Sequence, residues 1–235
     1  MFFLKSNQSI FKEKKKKELS MLNLPDGLIK SFLKESSLFF SKQDTEKIND
    51  LLKFILKTKA SNPYHPSMYG YISHPIRVAS FYLSLAKKPC LDYVFISLLH
   101  NFFEITLFQE KELIENGFSK KICKAITTLT VDRKLEKKNI YLKKYYSKIE
   151  SFSKDLALIK CVDKLDNLLA VKIICSNSER LNYIRDAEEF VYPIAKRISK
   201  DLSELFKKII YFSYYEKYDE SFKKNVEKFN QKLIN

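Results

Sequence analysis

Glycine is nearly missing from this 235-residue chain, with three occurrences at Gly27, Gly70 and Gly117. A β-barrel or sandwich needs many tight turns, and those turns draw on residues that tolerate positive φ. Three glycines supply few of them, and no two lie close enough together for a Gly-rich phosphate loop. Tryptophan is absent, and no apolar run approaches the length of a membrane span, so no span is expected. The four cysteines (Cys90, Cys123, Cys161, Cys175) form no Cys-x-x-Cys pair, and they sit in apolar surroundings, as small buried residues do. Free thiols in a reducing cytoplasm are expected, without a structural disulfide or zinc site. The opening MFFLKSNQSIFKEKKKKE lacks signal-peptide order, because its short apolar part precedes the charges.

What remains is rich in core material. The hydrophobic fraction is 45% and the aromatic fraction 14%, which excludes wholesale disorder and supports one sizeable core. The composition points to an all-α protein. With 43 Lys and Arg against 28 Asp and Glu, the net charge is +15, a field that attracts anions. Most of the cations are lysines, and the arginines are Arg77, Arg133, Arg180, Arg185 and Arg197. Arginine is the better residue for reading phosphates and base edges, and no nucleic-acid motif is present. Nucleic acid is therefore not favoured as a partner.

Residues 1–40 read as a basic N-terminal extension with a short helix, and residues 41–235 as a single helical domain. The block Lys12 to Lys17 is solvated, Pro25-Asp26-Gly27 breaks the chain, and a helix follows from about Leu28 to Phe40. Ser41 and Asp44 have capping-box spacing, and Ile48, Leu51, Leu52, Ile55 and Leu56 form a helical stripe. Residues 61–73 form a loop, and His74-Pro75 opens the next helix. Asp92 caps a helix from Tyr93 to about Leu107 that is apolar nearly all round, as at the centre of a bundle. Gly117 stops a short helix and Ser119 caps another. A helix is expected near Ile140–Ile149, and a second mostly apolar one over residues 154–175. From Ser178 the chain reads as helix to its end, bent at Pro193.

The two apolar helices carry polar residues where burial is costly without partners: His100, Asn101 and Glu104 in the first, Asp163, Asp166 and Asn167 in the second. His74 sits at the loop-to-helix junction before them. Imidazole and carboxylate are the usual ligands of a divalent metal, which would supply the missing partners. Glu104 shares the helical face of His100 and Asn101, and a carboxylate beside a metal is suited to act as a base toward water.

This order of residues resembles the HD-domain phosphohydrolases: a His, then a His-Asp pair, then a distant Asp in a helix. It is most similar to the hydrolase domain of the RelA/SpoT family, whose stand-alone metazoan members are close in size. The motif Tyr-Ile-x-His-Pro-x-x-Val-Ala appears as Tyr71 to Ala79. Leu-Leu-His-Asp-x-x-Glu-Asp-Thr appears as Leu98 to Thr106. Val-Lys-Leu-Ala-Asp-Lys-Leu-x-Asn-Leu appears as Ile159 to Leu168. The likeness covers roughly residues 45–210. It implies an HD-domain helical bundle holding one manganese ion, which removes the 3′-diphosphate of guanosine tetraphosphate or pentaphosphate. It also implies metal ligation by His74, His100, Asn101 and Asp163, a catalytic Glu104, and phosphate or ribose contacts from Lys164 and Asn167.

Three departures stand beside the matches. Asn101 replaces the family's metal-binding Asp, so the ligand set carries one negative charge instead of two. Ile105 replaces the second acid after Glu104. The family's basic residues before Tyr-Ile-x-His-Pro are not cleanly matched, because the loop here holds His65 and Pro66. Losing one anionic ligand weakens cation binding, and general acid–base help is worth about 10²–10⁴-fold in rate. Two readings follow. The first is a metal-dependent phosphohydrolase acting on a phosphorylated nucleotide with weakened activity. The second is a catalytically inactive HD-fold module that binds a nucleotide or a protein partner.

Overall fold

The computed structural model describes residues 25–61, 68–174 and 177–214, and among them there are helices and no strands. The block around Lys14, the loop at His65, the side chain of Cys175 and the residues after Tyr214 lie outside that description. Helix α1 spans Pro25–Ser36, α2 Lys42–Lys57, α3 Met68–Tyr71, α4 Ser73–Leu85, α5 Leu91–Leu99 and α6 Phe102–Ile105. They are followed by α7 over Glu110–Glu115, α8 over Lys120–Leu129, α9 over Asn139–Phe152 and α10 over Lys154–Ile174. The last are α11 over Asn177–Asp186, α12 over Tyr192–Ile198 and α13 over Lys200–Tyr214. None of these helices is long and apolar enough to cross a membrane.

The long α10 is the axis of the bundle. It packs on α4, α5, α9, α11, α12 and α13. Leu156, Ile159, Cys161, Val162 and Leu165 of α10 are all fully enclosed, so the helix is apolar nearly all round, as its sequence requires. Helix α1 lies on α4 and sends Phe32 into the same core. The Pro25-Asp26-Gly27 segment, read from the sequence as a break, forms the first turn of α1, where a missing proline N–H is harmless. That helix ends at Ser36, before the expected Phe40.

The caps follow the sequence closely. Asp44 N–H donates to Ser41 Oγ at 3.1 Å, and Ile122 N–H donates to Ser119 Oγ at 3.3 Å. Gly117 closes α7 with φ +88°, and Phe118 N–H reaches back to Leu113 O at 3.1 Å.

Other departures stand beside these, among them the helical turn Met68–Tyr71 within the segment expected to form a loop over residues 61–73. The helix expected over Tyr93 to Leu107 starts at Leu91 and breaks at His100-Asn101, with Asn101 at φ −109°, ψ 14°. The break lets Phe102 enter an aromatic cluster with Phe54 and Phe108, at 5.9 and 5.3 Å between ring centroids. Asp92 does not cap that helix, because its carboxylate pairs with Lys121 at 3.0 Å. The C-terminal run divides at a π-helical turn, Ala187–Val191, and again at the extended Ser199. Tyr192 N–H bonds Ala187 O, so the ladder has already slipped by one residue before Pro193, which has no N–H to offer. Cys90 is exposed, against the expectation of apolar surroundings, while Cys123 and Cys161 are buried.

Candidate metal centre

Three elements bring the site together. His74 stands in the first turn of α4, His100 just past the end of α5, and Asp163 midway along α10. Their ligand atoms meet. His74 Nε2 lies 3.1 Å from His100 Nε2 and 3.3 Å from Asp163 Oδ1. His100 Nε2 lies 3.5 Å from Asp163 Oδ1. Donors held about 2.1 Å from one divalent cation at tetrahedral or octahedral angles stand about 3.0–3.4 Å from each other. The observed triangle has that size.

The proton bookkeeping supports the same conclusion. His100 Nδ1 is 2.7 Å from Ser97 O, an acceptor only, so Nδ1 carries its proton and Nε2 presents a lone pair. His74 Nδ1 is 2.7 Å from Asp166 Oδ2 and donates to it. Both Nε2 atoms and a carboxylate oxygen thus face one point, and a cation there would take the place of the proton that His74 Nε2 shares with Asp163. His100 and Asp163 are 2% and 3% exposed, and His74 keeps a partly accessible edge.

The charges around this point are balanced by partners. Lys160 Nζ sits 2.9 Å from Asp163 Oδ2. Asn167 Nδ2 donates to Asp163 Oδ1 at 2.6 Å and to Asp163 O at 2.9 Å. Burial would raise the Asp163 carboxyl, but Lys160 and the two imidazoles hold it well below the usual carboxylate range. Burial likewise opposes charge on His74, yet the bonds from Asp163 and Asp166 outweigh it and lift the ring to about 9. Asp166 is also held low against burial, mainly by Arg77. Arg77 forks onto it, Nε to Oδ1 at 2.7 Å and Nη2 to Oδ2 at 2.8 Å.

The other sequence-derived residues fall around this core in different ways. Asn101 follows His100, and its side chain meets the Tyr71 hydroxyl. Glu104, on α6, accepts Val131 N–H at 3.1 Å and an ion pair from Arg133. Ile105, where the resembled motif has an acid, is buried in the core. Lys164 is buried, with Nζ 3.4 Å from the centre of the Tyr183 ring, and burial next to Lys160 lowers its pKa to about 8. Asn167 faces Asp163 as its helical spacing predicts. Asp166, Arg77 and Arg133 were not picked out from sequence as site residues. The first two had a signal, because each stands three residues after a ligand on the same helix.

No protein-family model matches the sequence, and no characterised protein matches it by sequence. The fold is similar to that of a metazoan SpoT orthologue that hydrolyses ppGpp, with TM-score 0.56 and 19% identity, covering 75% of this chain and 98% of that one. At this identity the likeness shows the fold alone: an all-α helical domain built like that protein's.

Proposed function

We propose that this chain is an HD-type, metal-dependent phosphohydrolase acting on a phosphorylated nucleotide of the guanosine tetraphosphate class, with activity lowered by a degenerate motif. The observation that carries the reading is the triangle of His74 Nε2, His100 Nε2 and Asp163 Oδ1, with no edge longer than 3.5 Å. The similar fold of a protein that hydrolyses ppGpp supports the substrate class. His74, His100 and Asp163 would hold a divalent cation, and their mixed nitrogen and oxygen donors suit manganese among others. Asn101 is the neutral fourth member of that set. Such a cation, when bound, supplies Lewis acidity toward a phosphoryl oxygen and acidifies water.

The chain's own groups account for the rest. Glu104 is the carboxylate suited to take a proton from the attacking water once Arg133 lets go of it. Lys164 meets a phosphate on leaving the Tyr183 ring, and Asn167 offers its carbonyl oxygen to the nucleotide while its amide nitrogen fixes Asp163. The free thiols accord with a cytoplasmic setting.

A second reading has its own support. Asn101 carries no charge, Ile105 is buried where the second acid would stand, and Glu104 is engaged by Arg133. These features favour an HD-fold module that binds the nucleotide, or a protein partner, without cleaving it. Metal content of the purified protein and release of pyrophosphate from guanosine tetraphosphate with manganese present decide between them. Bound metal with turnover supports the hydrolase. Bound metal and bound nucleotide without turnover supports the module. Failure to take up any divalent cation removes the metal centre.

A further inference from the structure

Helices α4 and α10 meet at the site through two residue pairs of identical spacing. His74 and Arg77 are three apart on α4, and Asp163 and Asp166 are three apart on α10, so each pair shares a helical face. Across the two helices, His74 and Asp163 form a front pair that faces the metal centre, and Arg77 and Asp166 form a rear pair. The rear pair is a fork: Arg77 grips both oxygens of Asp166, at 2.7 and 2.8 Å, and Asp166 Oδ2 also accepts from His74 Nδ1 at 2.7 Å. Arg77 and Asp166 both fall at positions that the resembled motifs leave unspecified.

We propose that Asp166 is a positioning residue for the metal ligand His74, and that Arg77 fixes Asp166 in the plane where it can do so. The inference rests on the metal-centre reading given above. An imidazole free to turn about its Cβ–Cγ bond can send Nε2 away from the centre or carry its proton on the wrong nitrogen. A carboxylate on Nδ1 removes both freedoms, and it also makes Nε2 a stronger donor. The planar guanidinium in turn stops the carboxylate from rotating, since one rigid fork meets both oxygens. The two histidines are supported unequally: a neutral carbonyl, Ser97 O, stands behind His100, and a carboxylate stands behind His74. That carboxylate matters more here because Asn101 contributes no charge to the ligand set.

A purely structural role is the competing explanation. In it the Arg77–Asp166 pair only staples α4 to α10. Stapling changes the melting temperature and leaves the metal affinity of the folded protein unmoved. The test uses the full chain and cobalt(II) alone as probe, titrated by its visible absorption at mildly alkaline pH, well below each variant's melting temperature. Asp166→Asn is expected to weaken cobalt binding by about 10–100-fold and to alter the absorption band, and Asp166→Glu to recover part of the loss. Wild-type affinity and an unchanged band in Asp166→Asn overturn the proposal and leave the staple. A second measurement needs no variant. In zinc-loaded wild-type protein, long-range proton–nitrogen NMR is expected to show His74 protonated at Nδ1, and a proton on Nε2 overturns the proposal. If the wild-type protein takes up neither ion, the metal-centre reading itself has failed, a result distinct from an intact site that ignores Asp166.

Discussion

Arg133, on the connection between α8 and α9, closes an ion pair on Glu104 of α6, the carboxylate proposed above to take a proton from water. The two partners differ in exposure, with the Arg133 side chain 68% accessible and that of Glu104 8%. Glu104 keeps the Val131 N–H when the exposed Arg133 side chain is removed, so its buried carboxylate is not left without a partner. Arg133→Met should therefore leave the melting temperature nearly unchanged. Its effect should appear in kinetics. Loss of the guanidinium frees Glu104 to take a proton, so kcat for guanosine tetraphosphate does not fall. Glu104→Gln lowers kcat by about 10²–10⁴-fold. Steady-state kinetics on both variants checks the assignment, and equal losses of kcat in the two would show that Arg133 acts with Glu104 instead of restraining it.

Asn101→Asp returns a negative charge next to His100. Divalent-cation affinity should rise by about tenfold or more, since a hard dication depends on ligand charge. Calorimetric titration with manganese reads it directly, and an unchanged affinity would place Asn101 outside the coordination set. The companion change Ile105→Asp is a poor test of restored chemistry. Ile105 is 3% exposed, and its carbonyl accepts Ser61 N–H at 2.8 Å, so the substitution buries an unpaired acid in the core. Its expected effect is a destabilisation of several kcal/mol. The second acid cannot be restored by one substitution without repacking around α6.

Much of the centre was legible in the chain itself. His100 and Asp163 stand out as polar residues in two apolar helices that leave no room for unpartnered groups, and His74 stands at the junction before them. The fork of Arg77 on Asp166 was not legible, because it exists only once α4 lies along α10, although the repeated three-residue spacing hinted at it. Arg133 gave no signal: it sits in a polar connection, and its partner lies far back in the chain. The break at His100 was hidden by an apolar stripe that continues through it; the aromatic cluster around Phe102 decides the geometry there. Lys164 reads equally well as a phosphate contact or a solvated lysine, and the Tyr183 ring that covers it is a tertiary feature.

Thiol chemistry separates the cysteines by depth. Cys161 is fully enclosed in α10, and burial pushes its thiol well above the ordinary range. Cys123 is enclosed too, and burial raises its thiol as well. Cys90 is exposed between α4 and α5. In a Cys175→Ser background, iodoacetamide should modify Cys90 in the native protein and leave Cys123 and Cys161 protected until denaturant is added. Peptide mass mapping reads the sites, and native-state labelling of Cys161 at the rate of Cys90 would mean that α10 is not the buried axis of the bundle.

Glu35 gives the fold a pH dependence that is independent of the metal centre. It lies half-buried on α1 beside Ser80 of α4. Burial raises its carboxyl above the usual range, and the Ser80 hydroxyl offsets only part of that. A carboxyl raised on folding binds its proton more tightly in the native state than in the unfolded chain. Stability is therefore full below the unfolded value of about 4.3 and declines as pH climbs through the raised native value. Glu35→Gln removes the titration. The variant should melt roughly 1–3 °C above wild type at neutral pH, and the difference should shrink to nothing as pH falls through the ordinary glutamate range. Melting curves by circular dichroism across that range provide the check. Parallel curves for the two proteins would mean that Glu35 titrates identically in both states and that α1 does not press it against α4.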